Sequence, residues 1–505
     1  MRSAGILLPV ASLPSPYGIG TLGKAAYDFV DFLKKAGQTY WQVLPMGPTS
    51  YGDSPYQSFC TFAGNPYFID PDMLVDDGLL TAEDCKAHDA GEDPRYVDYG
   101  KLYNTRFQLL NKAYECAEES LKKDRKYKKF KKENADWLEE YSLFMALKDA
   151  FGGKSWIEWD EPIRNREKTA VKEMTKKYSR ETEFYKFMQY VFYCQWDKLK
   201  KYANDKGIKI IGDIPIYVAF DSSDAWADRE LFQFDEEGRP KAVAGCPPDA
   251  YAVTGQLWGN PLYDWTYQKK TDFAWWKDRM RAVTNMYDVV RIDHFRGFDE
   301  YYSIPYGDPT AEFGHWEKGP GYALFRALKQ ELGDFNVIVE DLGFITDSVR
   351  KLVKRTGWPN MKVVQFGFGG GNDRGDSEYL PCNFDKNCVV YTGTHDNDTL
   401  LGWFKALPAK DKKIVRAYAG VKKKKAEAAC LGIVRMAVAS SADMCIIPLQ
   451  DYLLLDTTAR INTPSTLGEN WKWRLYDDEL NTKLAKKIYR LNRIYGRTNT
   501  DETQN

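Results

Sequence analysis

The sequence predicts a (β/α)8 TIM barrel (fold class α/β) with largely helical insertions on its carboxyl face. Three observations lead there. Eight short apolar runs, rich in Val and Ile, are spread over the 505 residues, and such runs suit strands buried on both faces of a parallel sheet. Helical patterns separate the later runs, which is the alternation of a barrel. Four runs also end in charge: 208–211 meets Gly212-Asp213-Ile214-Pro215, 289–290 meets Arg291-Ile292-Asp293, 337–339 meets Glu340-Asp341, and 389–394 meets His395-Asp396-Asn397. One such run alone describes a core strand followed by a solvated turn. Four with the same polarity describe a rim of the kind that carries chemistry in (β/α)8 enzymes.

In chain order the candidate strands are residues 5–8, 40–44, 208–211, 287–291, 337–340, 362–366, 388–392 and 444–448. The amino end has only a brief apolar run, broken by Pro9, Pro14 and Pro16; it reads as the first barrel strand and makes a poor signal peptide. Residues 76–204 are too many for one crossover and too patterned for a structureless loop. A helical insertion between the second and third strands is expected there, with Phe144, Leu147 and Phe151, and then Phe187, Tyr190, Val191 and Cys194, marking inward faces at helical spacing. Residues 221–285 read as a second excursion of loop and helix. Length permits one elaborated barrel or two to three domains; the strand series favours a single catalytic barrel over 1–505.

Composition excludes several classes. With 71 basic against 72 acidic residues, the net charge of −1 offers no field for nucleic acid or an anionic membrane. No apolar run is long enough to span a bilayer. Nine cysteines without a C-x-x-C pair suit reduced thiols in a cytoplasm better than a disulfide framework, and no zinc ribbon is visible. The basic stretches 122–132 and 422–425 read as solvated surface. Aromatic residues make up 15% of the chain; most belong in the core, while some suit a sugar cleft, because pyranose C–H faces stack on rings.

Carboxylates at the ends of separate strands, with only four histidines and no metal-ligand cluster, restrict the chemistry. A carboxylate pair can cleave a glycosidic bond when one is an ionised nucleophile and the other a protonated acid. Arg291 and Asp293, two apart on a strand, project to one side, and the guanidinium keeps Asp293 ionised. Glu340 follows three apolar residues, where desolvation raises its pKa and keeps its proton. Asp396 is then the third carboxylate, accepting hydrogen bonds from sugar hydroxyls.

The chain resembles the amylomaltases, the 4-α-glucanotransferases of glycoside hydrolase family 77, which are related to the α-amylases. The resemblance is carried by Gly52-Asp53-Ser54-Pro55-Tyr56-Gln57-Ser58, Gly64-Asn65-Pro66-Tyr67, Gly212-Asp213-Ile214-Pro215-Ile216-Tyr217-Val218, Pro247-Pro248-Asp249, Gly255-Gln256-Leu257-Trp258-Gly259-Asn260-Pro261, Arg291-Ile292-Asp293-His294-Phe295-Arg296-Gly297, Glu340-Asp341-Leu342-Gly343, Gly393-Thr394-His395-Asp396-Asn397 and Asn462-Thr463-Pro464. It implies Asp293 as nucleophile, Glu340 as acid and then base, and Asp396 as transition-state stabiliser. By the same resemblance Arg291 and His395 bind the reacting sugar, Asp213 supports the site, Tyr56 stacks on the sugar, and Tyr251 and Trp258 cover the cleft on the acceptor side. Tyr51 matches a tyrosine of a second glucan site in some members. Where the family usually has Asn-Thr-Pro-Gly-Thr, this chain has Ser465. A glycine there would serve a positive φ, so Ser465 is expected to carry modest strain or shift the loop, which puts sugar contacts from Asn462 in question.

The expected reaction is a retaining double displacement on α-1,4-glucans, with maltooligosaccharides and amylose as partners, glucose as an acceptor, cyclic products conceivable, and neither cofactor nor metal required. An α-amylase-like hydrolase using the same carboxylates is the nearest alternative, and a silent glucan-binding protein is another. The loop around Trp258 favours transfer over hydrolysis.

Overall fold

The computed structural model describes residues 2–248, 252–369 and 375–498. Twelve strands form in chain order: β1 (Ser3–Leu7), β2 (Tyr40–Gln42), β3 (Lys209–Ile214), β4 (Ala242–Cys246), β5 (Gln256–Pro261), β6 (Val289–Ile292), β7 (Glu300–Pro305), β8 (His315–Lys318), β9 (Val337–Val339), β10 (Asn360–Val363), β11 (Cys388–Tyr391) and β12 (Met444–Pro448). Eight of them close into a parallel barrel in the order β1-β12-β11-β10-β9-β6-β3-β2. The eight runs read from the sequence correspond to these eight strands.

Burial on both faces explains their composition. Ile6, Trp41, Ile210, Ile211, Val290, Ile338, Val389 and Ile446 are all essentially without solvent contact, inside a core that joins the barrel to its helical layer. No helix among the described residues is long and apolar enough to cross a membrane.

Between β2 and β3 the chain forms helices, chief among them Tyr99–Leu121, Ala135–Ala150 and Ser179–Asp205. Phe144, Leu147, Phe187 and Val191 are buried, while Phe151, Tyr190 and Cys194 lie half-buried at the edges of the same faces. Caps start several of these elements, as where Asp98 accepts from Lys101 N–H and where Thr81 and Asp84 bond reciprocally. The longest helix also anchors the loop that follows β2. Gln189 exchanges two hydrogen bonds with the Gly64 backbone (2.7 and 2.9 Å), and Gln195 does the same with Asp70 (2.7 and 3.2 Å). Buried amides satisfied in this paired way fix the loop's path.

Two expectations need correcting. The strand expected at 362–366 is Asn360–Val363, and Val364–Gly367 coils into a 3-10 turn. The apolar pattern discounted Asn360, whose side chain donates to Asp341 Oδ2 (2.9 Å) and so belongs inside the strand. The 221–285 excursion, read as loop and helix, also contributes β4 and β5 to a four-stranded antiparallel sheet of order β5-β4-β7-β8. Gly259, at φ 76°, and Pro261 are uncommon inside a strand. They are tolerated because β5 is an edge strand paired to β4 across an irregular register.

Candidate active site

Parallel pairing sets Asp213 directly beside Arg291, on β3 and β6 respectively. The Arg291 guanidinium, almost wholly buried, donates from Nη1 to Asp213 Oδ2 (2.5 Å) and from Nη2 to Asp293 Oδ1 (2.8 Å). One buried cation thus organises two carboxylates, which compensates their desolvation. Asp293 keeps 28% of its side chain in solvent, with Oδ1 taken by Arg291.

Glu340 leaves the end of β9, with its backbone N–H on Ile292 O (3.0 Å). Its side chain turns back over β6: Oε2 accepts from the backbone N–H of His294 and Oε1 from that of Leu342, both at 2.7 Å. His294 reaches this position because its φ is 52°, left-handed for a non-glycine residue. Such strain is retained where it aims a group. Glu340 therefore sits against the residue that follows Asp293.

Asp396 joins from the loop after β11. Asn462 Nδ2 donates to its Oδ1 (2.6 Å), and Arg460 Nη2 to its backbone carbonyl (2.7 Å). Arg460 also donates to Asn462 O (2.7 Å), and Asn462 N–H donates to His395 O (3.1 Å). Arg460 carries no local signal beyond the spacing of Arg460-Ile461-Asn462, which repeats that of Arg291-Ile292-Asp293. Ser465 adopts φ 65°, so the expected positive φ is present. Asn462 is nonetheless in place, serving Asp396. Replacing Ser465 by Gly is expected to relieve about 1 kcal/mol of left-handed strain and, for a chain of this size, to raise Tm by about 1 °C. Calorimetry giving an unchanged or lower Tm would argue that the loop bears no strain.

Tyr56 links the two halves of the site. Its hydroxyl lies 2.8 Å from Asp213 Oδ2 and 2.9 Å from His395 Nε2, and its ring stacks on that of His395, with centroids 5.3 Å apart and planes at 14°. Burial pushes the Tyr56 hydroxyl well above the usual phenol range, so it keeps one proton, which goes to the carboxylate. His395 then donates its Nε2 proton to the Tyr56 oxygen, and burial, lowering the imidazole pKa, keeps the ring neutral. Trp258 stands edge-on to His294, centroids 4.7 Å apart and planes at 90°. Its strand, β5, is tied to the Tyr56 loop by Gln57 Nε2 donating to Asn260 Oδ1 (3.0 Å), another contact that the sequence did not announce. Tyr51 is 96% exposed, and Tyr251 lies outside the described residues.

Arg291, Asp293, Glu340, Asp396, Asp213, Tyr56, His395, Asn462 and Trp258 are thus linked at the carboxyl end of one barrel. A family model described as 4-alpha-glucanotransferase matches residues 8–479. The chain belongs to the 4-alpha-glucanotransferase family. It is 49% identical to a 4-alpha-glucanotransferase of Clostridium butyricum, covering 97% of this chain and 99% of that one. It is 44% identical to one of Thermus thermophilus, covering 96% and 97%. The solved amylomaltase of Streptococcus agalactiae, in complex with acarbose, superposes with TM-score 0.96 at 40% identity over 99% and 100% of the two chains. Asp293 and Glu340 are neighbouring carboxyls. Burial raises both carboxyls; repulsion from Glu340 adds to it at Asp293, and repulsion from Asp341 adds to it at Glu340. Glu340 is pushed up to about 7, chiefly by burial, against the pull of Arg291 and of the two backbone N–H donors. For Asp293, burial raises the pKa and Arg291 lowers it; direct contact with the guanidinium puts the pair's negative charge on this residue. No group of three or more His, Cys, Asp or Glu is placed to hold a metal ion among the described residues.

Proposed function

We propose that the site transfers α-1,4-glucan segments by a retaining double displacement in which Asp293, Glu340 and Asp396 do the chemistry. The single observation that carries this reading is Arg291 held between Asp213 and Asp293 while the Glu340 carboxyl turns onto the next residue of the same strand end; burial pushes that carboxyl up to about 7, which favours its acid form. Asp293 Oδ2 attacks the anomeric carbon as the bond from that carbon to the leaving O4 breaks, and Glu340 gives its proton to O4. The freed chain departs. The 4-hydroxyl of an acceptor then loses its proton to Glu340 and attacks the same carbon, and the bond to Asp293 breaks. Asp396, oriented by Asn462 and Arg460, accepts hydrogen bonds from ring hydroxyls as positive charge develops. Tyr56 and His395, neutral and mutually hydrogen-bonded, supply the platform under the reacting sugar.

Maltooligosaccharides and amylose serve as donors and acceptors, and glucose serves as the smallest acceptor; ring closure is the same second step performed by the chain's own free end. The excursion over residues 221–285, on the single catalytic barrel, forms the acceptor wall through Trp258, and Tyr51 offers a ring at a second glucan site. Nine free cysteines fit a reducing compartment such as the cytoplasm. Incubation with maltotriose tests the reading: glucose with a ladder of longer oligosaccharides is the expected outcome, and glucose with maltose alone would mean hydrolysis.

The pH profile follows from Glu340. Its protonated form is the active one in the first step, so kcat/KM should fall about tenfold per pH unit once pH rises through about 7. Initial rates at a single maltotriose concentration well below KM, from pH 5 to 9, measure this limb. A profile flat to pH 9 would mean that the acid lies elsewhere.

A further inference from the structure

Beyond the reacting centre, an aromatic platform extends from the segment that carries Glu340. Phe344 follows four residues later and is 66% exposed, an unusual fate for a phenylalanine with a packed neighbour. Its ring lies near-parallel to that of Trp316 on β8, with centroids 6.4 Å apart and planes at 19°. Trp316 is fixed from two directions. Tyr302 of β7 packs edge-on to it at 5.0 Å, and the Arg296 guanidinium stacks over it with Cζ 3.7 Å from the ring centroid. Arg296, 2% exposed, donates from Nη1 to the Phe344 carbonyl (2.5 Å), which ties the exposed ring to the strand end that carries Asp293. Among the described residues, its Nε and Nη2 find no acceptor, so this arginine's main engagement is the stack. The result is a flat surface whose outer ring is mostly exposed.

We propose that Phe344, supported by Trp316 and Arg296, is an outer acceptor subsite that stacks a glucose unit of the incoming α-1,4-glucan. The inference rests on the proposed roles of Asp293 and Glu340. The acid protonates the leaving oxygen and later receives the acceptor's proton, so groups next to it on the far side from the nucleophile face the departing and incoming chains. Trp258 meets this same flank through His294. Four residues of chain reach at most ~14 Å, so the Phe344 ring lies within the span of a short run of sugars from the Glu340 backbone. Rings of this kind bind the apolar C–H face of a pyranose, and flatness with low conformational freedom is what such a contact needs. The chemical class recognised is therefore the third or later residue of an acceptor chain, with glucose itself too short to touch it.

The test uses α-glucosyl fluoride as donor, so that donor length is held at one sugar, with glucose, maltose and maltopentaose as acceptors. Phe344→Ala is expected to raise the acceptor KM for maltopentaose about tenfold, the scale of one well-placed aromatic contact, and to leave glucose and maltose unchanged. Phe344→Tyr, which keeps the ring, should restore the parent KM. An equal rise for all three acceptors, or none for any, would overturn the proposal. If parent enzyme and Phe344→Ala both turned over fluoride but Asp293→Asn did so as well, the reading of the centre would fail instead, so the two failures are distinguishable.

Discussion

Asp293→Asn is expected to abolish transfer from maltotriose, with kcat reduced on the order of 10⁵-fold, about 7 kcal/mol of lost transition-state stabilisation. The amide keeps the shape of the carboxyl and an oxygen for the Arg291 N–H contact, and Asp213 continues to neutralise the guanidinium at 2.5 Å. The variant should therefore fold, with a parent-like near-ultraviolet spectrum. What it lacks is an anion able to form the glucosyl ester. The loss must be as complete with α-glucosyl fluoride as with maltotriose, because leaving-group activation cannot replace a nucleophile. Turnover within about 100-fold of the parent on either substrate would reassign the nucleophile.

The barrel was legible because buried parallel strands write themselves as uninterrupted Val and Ile runs, and because the chain concentrates charge where they end. The small sheet was not. Ala242–Cys246 contains a glycine, Gln256–Pro261 mixes polar, aromatic and proline residues, and Glu300–Pro305, which pairs with Ala242–Cys246, lies beyond the excursion that holds both. The sheet is joined at its centre by this pairing of segments distant in sequence and by a modest cluster of Val243, Tyr302, Ile304 and Ala311, so local pattern carries little of the signal. Strand bounds shifted for the same reason at Asn360, where a tertiary hydrogen bond to Asp341 outweighs polarity.

Within the site, the residues that touch one another along a strand were readable. Arg291 and Asp293 follow from alternation alone, and Asp213 from the neighbouring strand end. Contacts made through loops were not: Gln57 to Asn260, Arg460 to the Asp396 backbone, and the left-handed turn at His294 that presents an N–H to Glu340. Asn462 shows the difference between an identity and its use. Its place beside the sugar-binding loop was expected, yet its amide is spent on Asp396 Oδ1, so it acts here by holding another side chain in position.

Glu340→Gln should separate the two halves of the reaction. Transfer from maltotriose is expected to fall about 10³-fold, within the range for loss of a general acid. Fluoride leaves without a proton, so α-glucosyl fluoride should still form the glucosyl enzyme at nearly the parent rate. With no base to take the acceptor's proton, that intermediate should then accumulate, visible as a burst of fluoride and as one added glucosyl group in the intact-protein mass. Azide, an anionic nucleophile that needs no base, should release it as α-glucosyl azide, the retained configuration. Glutamine is not a perfect isostere here. Two backbone N–H groups converge on the two carboxyl oxygens, and an amide offers only one acceptor, leaving one donor facing an NH2 at a cost of about 1–3 kcal/mol. Misfolding from that mismatch would suppress the fluoride burst along with everything else, whereas loss of acid–base function alone leaves the burst intact. The alkaline limb near pH 7, seen with maltotriose, should be absent from fluoride release in parent and variant alike. A variant that loses fluoride turnover while remaining folded would place Glu340 outside the acid–base role.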